Sequence, residues 1–130
     1  MAATDWREFI GEMNKEFASH FADEWLHAWN THDLDRVLSH YSDDFEMISP
    51  VIAQVMGIKE GRLKGKDVVA TYWAKALAMF PDLAFTPICT LIGVDSITIH
   101  YIGAKGRRVA EVFQFNVKNQ VIRAHAHYEV

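Results

Sequence analysis

The chain has 130 residues, half of them hydrophobic, and this length suits one domain with a single core. Its 13 basic and 17 acidic residues give a net charge of −4, and the basic residues are scattered, which argues against a nucleic-acid partner. Cys89 is the only cysteine and no apolar run approaches membrane-spanning length, so we expect a cytoplasmic protein without disulfides or a membrane partner.

The first predicted element is a long amphipathic helix over residues 5–30. Asp5 with Glu8 three residues later resembles a capping box, which satisfies backbone N–H groups at a helix start. Apolar side chains then recur every three or four residues and share one helical face: Phe9, Met13, Phe17, Phe21, Trp25, Ala28 and Trp29. We expect this face to be buried.

A short second helix is predicted to begin after Asp33, whose carboxylate suits an N-cap. The pair Asp43 and Asp44 is expected to end this helix, and residues 45–49 alternate like a strand that Pro50 stops. Between Asp33 and Asp43 the apolar residues recur at helical spacing: Leu34, Val37, Leu38 and Tyr41.

Residues 51–64 are predicted to form a loop that contains Gly57 and Gly61. It is long for a compact domain, and such loops tend to be lids or functional edges. A third helix is predicted over residues 66–80 and is ended by Pro81. Its buried face is expected to consist of Val69, Tyr72, Trp73, Ala76, Leu77 and Phe80.

The remainder of the chain is predicted to be strand, over residues 83–92, 94–102, 108–117 and 120–130. Three helices followed by a four-stranded antiparallel meander, with the early strand joining one edge, make an α+β domain. A strongly curved sheet wrapped around the helices leaves a conical cavity, which is a natural ligand site.

Strand alternation identifies Glu111 as the candidate acid–base residue. It shares a face with Val109, Phe113 and Phe115, and a two-residue turn at 118–119 would place it opposite Ala126. The same turn predicts that Phe113 lies opposite Ala124 and Phe115 opposite Ile122, so Ile122, Ala124, Ala126 and Tyr128 continue the apolar face.

A lone carboxyl in such surroundings tends to be neutral or paired, which is how acid–base sites are built. The Trp25 indole N–H and the Tyr128 hydroxyl are candidate donors that would stabilise its charged form. In the alternative interpretation Glu111 lies at the cavity rim and pairs with Arg107, Arg108 or a loop lysine. The residues leave both interpretations open.

The histidines do not predict a metal site. His125 and His127 project from one face of a strand, as ligands of zinc or iron can. The alternation places them opposite the apolar face and beside Arg123, which disfavours a cation. We therefore expect no metal and no cofactor.

Three segments carry a resemblance to a known family. The segment 29–50 has the pattern WN-x-x-DLD-x-x-x-x-x-Y-x-x-DF and ends in proline, 63–69 reads L-x-G-K-D-x-V, and 80–83 reads FPDL. With the order of elements, these patterns resemble the nuclear-transport-factor-two-like superfamily, and within it SnoaL-like proteins. The resemblance implies one SnoaL-like domain over residues 1–130, with a cystatin-like or ketosteroid-isomerase-like roll.

The ketosteroid isomerases of this superfamily provide a sharper comparison. The resemblance puts Ser49 where their catalytic aspartate base lies, Trp25 at their oxyanion-donating tyrosine, and Glu111 at their protonated aspartate donor. Serine has no proton affinity near neutral pH unless a base activates it. Steroid-type isomerisation is therefore not expected, and polyketide cyclisation is disfavoured because the first strand offers Met47, Ile48 and Ser49 instead of acids or histidines.

The leading functional hypothesis is an enclosed pocket that binds a small, mostly apolar organic molecule, with Glu111 as its principal polar group. Its walls are expected to be Trp25, Met47, Ser49, Tyr72, Phe113 and Tyr128. The rival is an isomerase, cyclase or hydro-lyase that uses Glu111 as acid or base. A third hypothesis, a protein-binding adaptor, would need a filled core and an exposed apolar groove.

The resemblance also implies a homodimer formed through the convex face of the sheet. Four residues are expected to be available for that contact on exposed strands: Tyr101, Val112, His125 and His127.

Overall fold

The computed structural model describes residues 14–130, so the predicted helix start at Asp5 and its capping box lie outside the described residues. In chain order the elements are α1 Lys15–Asn30, α2 Leu34–Leu38, β1 Tyr41–Ile48, α3 Pro50–Met56, β2 Arg62–Lys64, α4 Lys66–Met79, β3 Thr86–Ile92, β4 Ser96–Ile102, a 3-10 turn Ala104–Gly106, β5 Arg108–Phe115 and β6 Val121–Tyr128.

The predicted end of the first helix and its apolar stripe are confirmed in α1, but a single helix over residues 5–30 was wrong, because Asn14 is extended at φ −97° and ψ 160° and α1 begins at Lys15. The helix is capped by Asn14, whose Oδ1 accepts the backbone N–H of Phe17 at 2.7 Å. The side chains that repeat at helical spacing are buried: Ala18, Phe21, Ala22, Trp25, Leu26, Ala28 and Trp29. One face of α1 therefore packs into the core.

Helix α2 begins as predicted, because the Asp33 side chain accepts the backbone N–H of Arg36 at 3.2 Å. Its predicted end was wrong: the helix stops at Leu38, and Tyr41 already begins β1. Asp43 and Asp44 therefore lie within a strand. The pairing of β1 with β6 is irregular between Tyr41 and Glu46, and both aspartates are exposed there despite their low strand propensity.

The predicted loop over residues 51–64 was also wrong, because it contains α3 and β2. Pro50 does end the strand, but it occupies the first turn of α3, where a missing N–H costs nothing. The Ser49 side chain caps this helix and Gly57 ends it in the left-handed region at φ 71°. The chain thus has four α-helices in its described part, one more than predicted.

Six strands form one curved, open sheet in the order β2-β1-β6-β5-β4-β3. The four-stranded antiparallel meander β3 to β6 is confirmed, and β1 joins its edge by pairing parallel to β6. The helices cover one face, which we call the inner face. The predicted α+β class is confirmed.

The hairpin of β5 and β6 has the predicted register at Glu111, which lies opposite Ala126, and at Phe113, which lies opposite Ala124. The register shifts between Gln114 and Phe115, so Phe115 lies opposite Val121 and not opposite Ile122 as predicted. Such a bulge re-aims the following side chains, and Val121 is accordingly buried whereas Ile122 is only half-buried.

The outer face of the sheet carries one row of side chains that runs across five strands. Successive register partners define it as Leu91, Thr98, Val112, His125 and Ile48. Tyr101 does not belong to this face: it is 3% exposed and turned inward, so its predicted place on an exposed strand was wrong. Among the helices of residues 14–130, none is both long and apolar enough to cross a membrane.

Candidate functional site

A cavity of about 190 Å³ lies between the inner face of the sheet and helices α1, α3 and α4. Some of its lining residues are exposed, such as Gln54 and Met79, whereas Glu111 and Tyr101 are buried, so the cavity leads from the surface to the interior. Much of its wall is aromatic and includes Trp25, Trp29, Tyr72, Trp73, Phe80 and Phe85.

Glu111 reaches this cavity because alternation along β5 turns it inward together with Val109 and Phe113. It is 4% exposed, and its Oε1 accepts a hydrogen bond from the Tyr101 hydroxyl at 2.9 Å. Among residues 14–130 it forms no ion pair, so the alternative of a rim glutamate paired with an arginine or lysine was wrong. Its other oxygen, Oε2, accepts no hydrogen bond from the described residues.

Burial raises the pKa of Glu111 to about 7, although the hydrogen bond from Tyr101 acts in the opposite direction. Both protonation states of the carboxyl are therefore populated near neutral pH. A group with this pKa can donate a proton in one form and accept one in the other.

The partner of Glu111 differs from both donors considered from the sequence. The Trp25 Nε1–H instead donates to the buried Tyr41 hydroxyl at 2.9 Å. Burial raises the pKa of Tyr128, and its hydroxyl interacts with that of Ser49. The partner, Tyr101, could have been identified from the alternation of β4: since His100 lies on the outer face, the next residue, Tyr101, points inward.

Four of the six expected wall residues line the cavity: Trp25, Met47, Tyr72 and Tyr128. Ser49 is 1% exposed and does not line it; its Oγ accepts the backbone N–H of Val51 at 3.1 Å and so caps α3. Phe113 lies in the aromatic core behind the wall, with its ring centroid 5.1 Å from those of Phe21 and Trp25.

Several cavity residues were not in the expected set. Trp29 lies one turn after Trp25 on the same stripe of α1, and this spacing could have identified it. Trp73 and Phe80 were assigned to the core, yet both also face the cavity. Lys105 and Arg107 line it from the turn between β4 and β5, and no local pattern marks them.

The histidine pair lies on the outer face as predicted. The rings of His125 and His127 have centroids 4.4 Å apart, and both residues are exposed. Burial lowers the pKa of His125, and His127 and two arginines add to this effect. In the part of the chain that the structure describes, no three or more His, Cys, Asp or Glu side chains are grouped to hold a metal ion.

Residues 22–130 match the SnoaL-like domain family. A SnoaL-like protein of unknown function from Burkholderia thailandensis E264 is 55% identical, with a TM-score of 0.87 over 90% of this chain and 98% of that chain. None of the curated proteins matches.

Two more distant structures share the fold alone. A protein with a cystatin-like fold from Methylobium petroleophilum PM1 is 15% identical, with a TM-score of 0.73 over 91% of this chain and 79% of that chain. A protein with a ketosteroid isomerase-like fold from Catenulispora acidiphila DSM 44928, solved in complex with trimethylamine, is 14% identical, with a TM-score of 0.66 over 83% of this chain and 84% of that chain.

Proposed function

This chain belongs to the SnoaL-like domain family, and from that premise we propose that it binds a small, mostly apolar organic molecule in the cavity beside Glu111. The observation that carries the proposal is an aromatic-walled cavity with one buried carboxyl group inside it. Concave, mainly apolar sites with a few convergent polar groups are typical of small-molecule binding.

The volume of the cavity limits the size of the ligand. A cavity of about 150 Å³ lined by apolar side chains takes up benzene. Sites for drug-sized ligands run from about 300 to 1,000 Å³. At about 190 Å³ the cavity suits a molecule with a single ring or a short chain, and it is too small for a fused-ring steroid or polyketide.

Glu111 provides the polar anchor of the proposed complex. Its protonated form can donate a hydrogen bond to a carbonyl or hydroxyl oxygen of the ligand, and its ionised form can accept one from a hydroxyl. Tyr101 holds the carboxyl group in place through Oε1, which orients Oε2 for this contact.

The second candidate function is an isomerase, cyclase or hydro-lyase that uses Glu111 as acid or base. The observation that favours it is the pKa of about 7, which matches the requirement for proton transfer near neutral pH. The adaptor hypothesis has less support, because it calls for a filled interior.

A cavity-filling variant tests the proposed site. Ala76 lines the cavity from α4, whereas Ala78 is exposed on the same helix and does not. Wild type, Ala76→Phe and Ala78→Phe are compared by thermal shift and titration calorimetry with single-ring aromatic compounds and small ketones. Binding by wild type and Ala78→Phe but not by Ala76→Phe is expected. Absence of binding by every compound, or equal binding by all three proteins, would contradict the proposal.

Glu111→Gln separates the two candidate functions, because it keeps the shape of the side chain and removes its ionisable proton. In a binding protein it should change ligand affinity by about 1–3 kcal/mol, the effect of altering one buried polar partner. In an enzyme it should abolish turnover while the fold and ligand binding persist.

We further propose that the protein is a cytoplasmic homodimer formed through the outer face of the sheet. Val112, His125 and His127 support this contact, because all three lie on that face. Cys89 as the single cysteine suits a reducing compartment. Cell fractionation tests the location, and analytical ultracentrifugation tests the dimer.

A further inference from the structure

Two cationic side chains stand over aromatic rings of the cavity wall. The Lys105 Nζ lies 5.9 Å from the centroid of the Phe80 ring, and the Arg107 Cζ lies 5.0 Å from that of Tyr128. All four residues line the cavity, and both cations are exposed. They therefore mark the mouth of the cavity.

The turn that carries these cations is held by its own backbone. The Gly103 N–H donates to the Arg107 carbonyl at 2.7 Å, and the Arg107 N–H donates to the Ala104 carbonyl at 3.3 Å. The Arg107 Nη2 also donates to the carbonyl of Glu129 at 3.1 Å, which ties the side chain to the end of β6. These hydrogen bonds fix the position of the turn and of the Arg107 side chain at the mouth of the cavity.

No carboxylate of the described residues forms an ion pair with either cation. Among residues 14–130, Glu111 is the only acidic residue that lines the cavity, and it is deeply buried whereas the two cations are exposed. The mouth therefore carries two positive charges with no carboxylate of the described residues in ion-pair contact, although Asp82 lines an adjoining pocket together with Lys105. An anion placed there would be attracted by both.

We propose that the ligand is an organic carboxylate, with its apolar body in the aromatic cavity and its carboxylate group at Lys105 and Arg107. This inference rests on the proposed function and specifies the class of its ligand. The body of the molecule then extends inward to Glu111, which can pair with a carbonyl or hydroxyl group on it, and the charged end stays at the solvent boundary, where its desolvation is least costly.

The test uses matched pairs of nearly isosteric compounds that differ in charge, with one carboxylate oxygen replaced by an NH2 group: phenylacetate with phenylacetamide, and hexanoate with hexanamide. Titration calorimetry at about 0.05 M NaCl should show tighter binding of each carboxylate by about fivefold to tenfold, the combined effect of two exposed charge pairs. The preference should shrink at about 0.5 M NaCl, because salt screens exposed charges.

Three variants locate the origin of the preference. The double variant Lys105→Gln/Arg107→Gln should bind acid and amide equally, and Lys105→Gln alone should lose part of the preference. Lys118→Gln is the matched control, because Lys118 is exposed on the hairpin after β5 and does not line the cavity. It should retain the full preference. Melting temperatures verify that each variant folds.

Equal binding of acid and amide by wild type would overturn this inference and leave the proposed function standing. A carboxylate preference that survives in the double variant would also overturn it. Failure of all four compounds to bind would overturn the carboxylate assignment, and the comparison of Ala76→Phe with Ala78→Phe on neutral compounds then decides separately whether the cavity binds ligands at all.

Discussion

At the scale of single residues, Glu111 is the one acidic side chain that is buried in the described part of the chain. A buried carboxyl group normally requires an ion pair or several donors to remain ionised. Glu111 has one hydrogen bond, from Tyr101, and aromatic neighbours. Its pKa is raised because this one hydrogen bond does not replace the hydration that the carboxylate loses on burial. The raised pKa makes the free energy of unfolding depend on pH.

The first prediction concerns the pH dependence of the free energy of unfolding. The pKa of Glu111 is about 7 in the folded protein against an ordinary value of 4.5, so the folded state binds the proton more tightly. The resulting stabilisation is fully present below pH 4.5 and is lost as pH rises through 7. The expected loss between about pH 5 and about pH 8 is roughly 2–3 kcal/mol.

Urea denaturation of wild type and Glu111→Gln at both pH values measures this loss. The Gln variant cannot titrate at this position and should lack the additional decrease. Parallel pH profiles for the two proteins would show that Glu111 has an ordinary pKa, and the acid–base interpretation would fail.

The second prediction concerns the hydrogen bond to Glu111. Tyr101→Phe removes the donor that lowers the pKa of the carboxyl group, so its titration midpoint should move further upward. Carbon NMR of the Glu111 carboxyl during a pH titration measures this midpoint. Tyr41→Phe is the control, because the Tyr41 hydroxyl is bonded to Trp25 and not to Glu111. A larger shift in the control than in Tyr101→Phe would contradict the assignment.

At the scale of elements, α3 forms part of the cavity wall, through Val51, Gln54 and Val55, where a loop was predicted, and β2 follows it in the same segment. The backbone N–H of Ser49 donates to the Gly61 carbonyl at 2.9 Å, so the two ends of this segment are joined. Gly57 and Gly61 both have positive φ, at 71° and 64°. Of these two glycines, Gly61 is the crowded one, because a Cβ added to it would lie 2.8 Å from the Ser49 carbonyl oxygen, whereas a Cβ added to Gly57 would have no heavy atom within 4 Å.

The third prediction follows from this pair of glycines. Gly57→Ala should cost about 1–2 kcal/mol, the price of a left-handed conformation for a residue with a Cβ. Gly61→Ala should cost a further amount of about 1–3 kcal/mol, because its Cβ also overlaps fixed backbone. Chemical denaturation of both variants measures the difference. Equal costs would show that the segment relaxes and that the Ser49–Gly61 contact is not rigid.

At the scale of the whole molecule, the sheet has two faces with different roles. The inner face holds the core and the cavity, whereas the outer row bears exposed or half-buried side chains on β3 to β6 and ends at the buried Ile48 on β1. Leu91 begins the defined row and is 57% exposed, and Val112 lies at its centre. An exposed face of this extent is the part of the molecule where the proposed dimer contact belongs.

The fourth prediction is that the protein sediments at twice the mass of one chain and that Val112→Glu converts it to a monomer. A charge at the centre of a symmetric contact would be buried against its own copy. Val117→Glu is the matched control, because Val117 is 101% exposed beyond the end of β5 and should leave the dimer intact. Analytical ultracentrifugation at micromolar concentration measures both. A monomeric wild-type protein would refute the dimer.

Much of the fold could be predicted because it depends on local periodicity. Spacings of three and four residues identified α1 and α4, and alternation identified the meander from β3 to β6. Helix α3 was not predicted, because Pro50 was interpreted only as the end of a strand and proline also suits the first turn of a helix. The three-residue strand β2 is too short to produce a periodic signal.

The sequence by itself determined that Glu111 shares a strand face with Val109 and Phe113 and lies opposite Ala126, because alternation and the hairpin turn together specify its register. Only the tertiary structure decided what it meets there. Tyr101 is ten residues away on β4, and Lys105 and Arg107 reach the cavity through a turn. Ser49 was assigned to the wall, yet its hydroxyl caps α3. Such contacts depend on bulges, sheet curvature and the angle at which helices cross the sheet, which are properties of the packed chain that no local pattern contains.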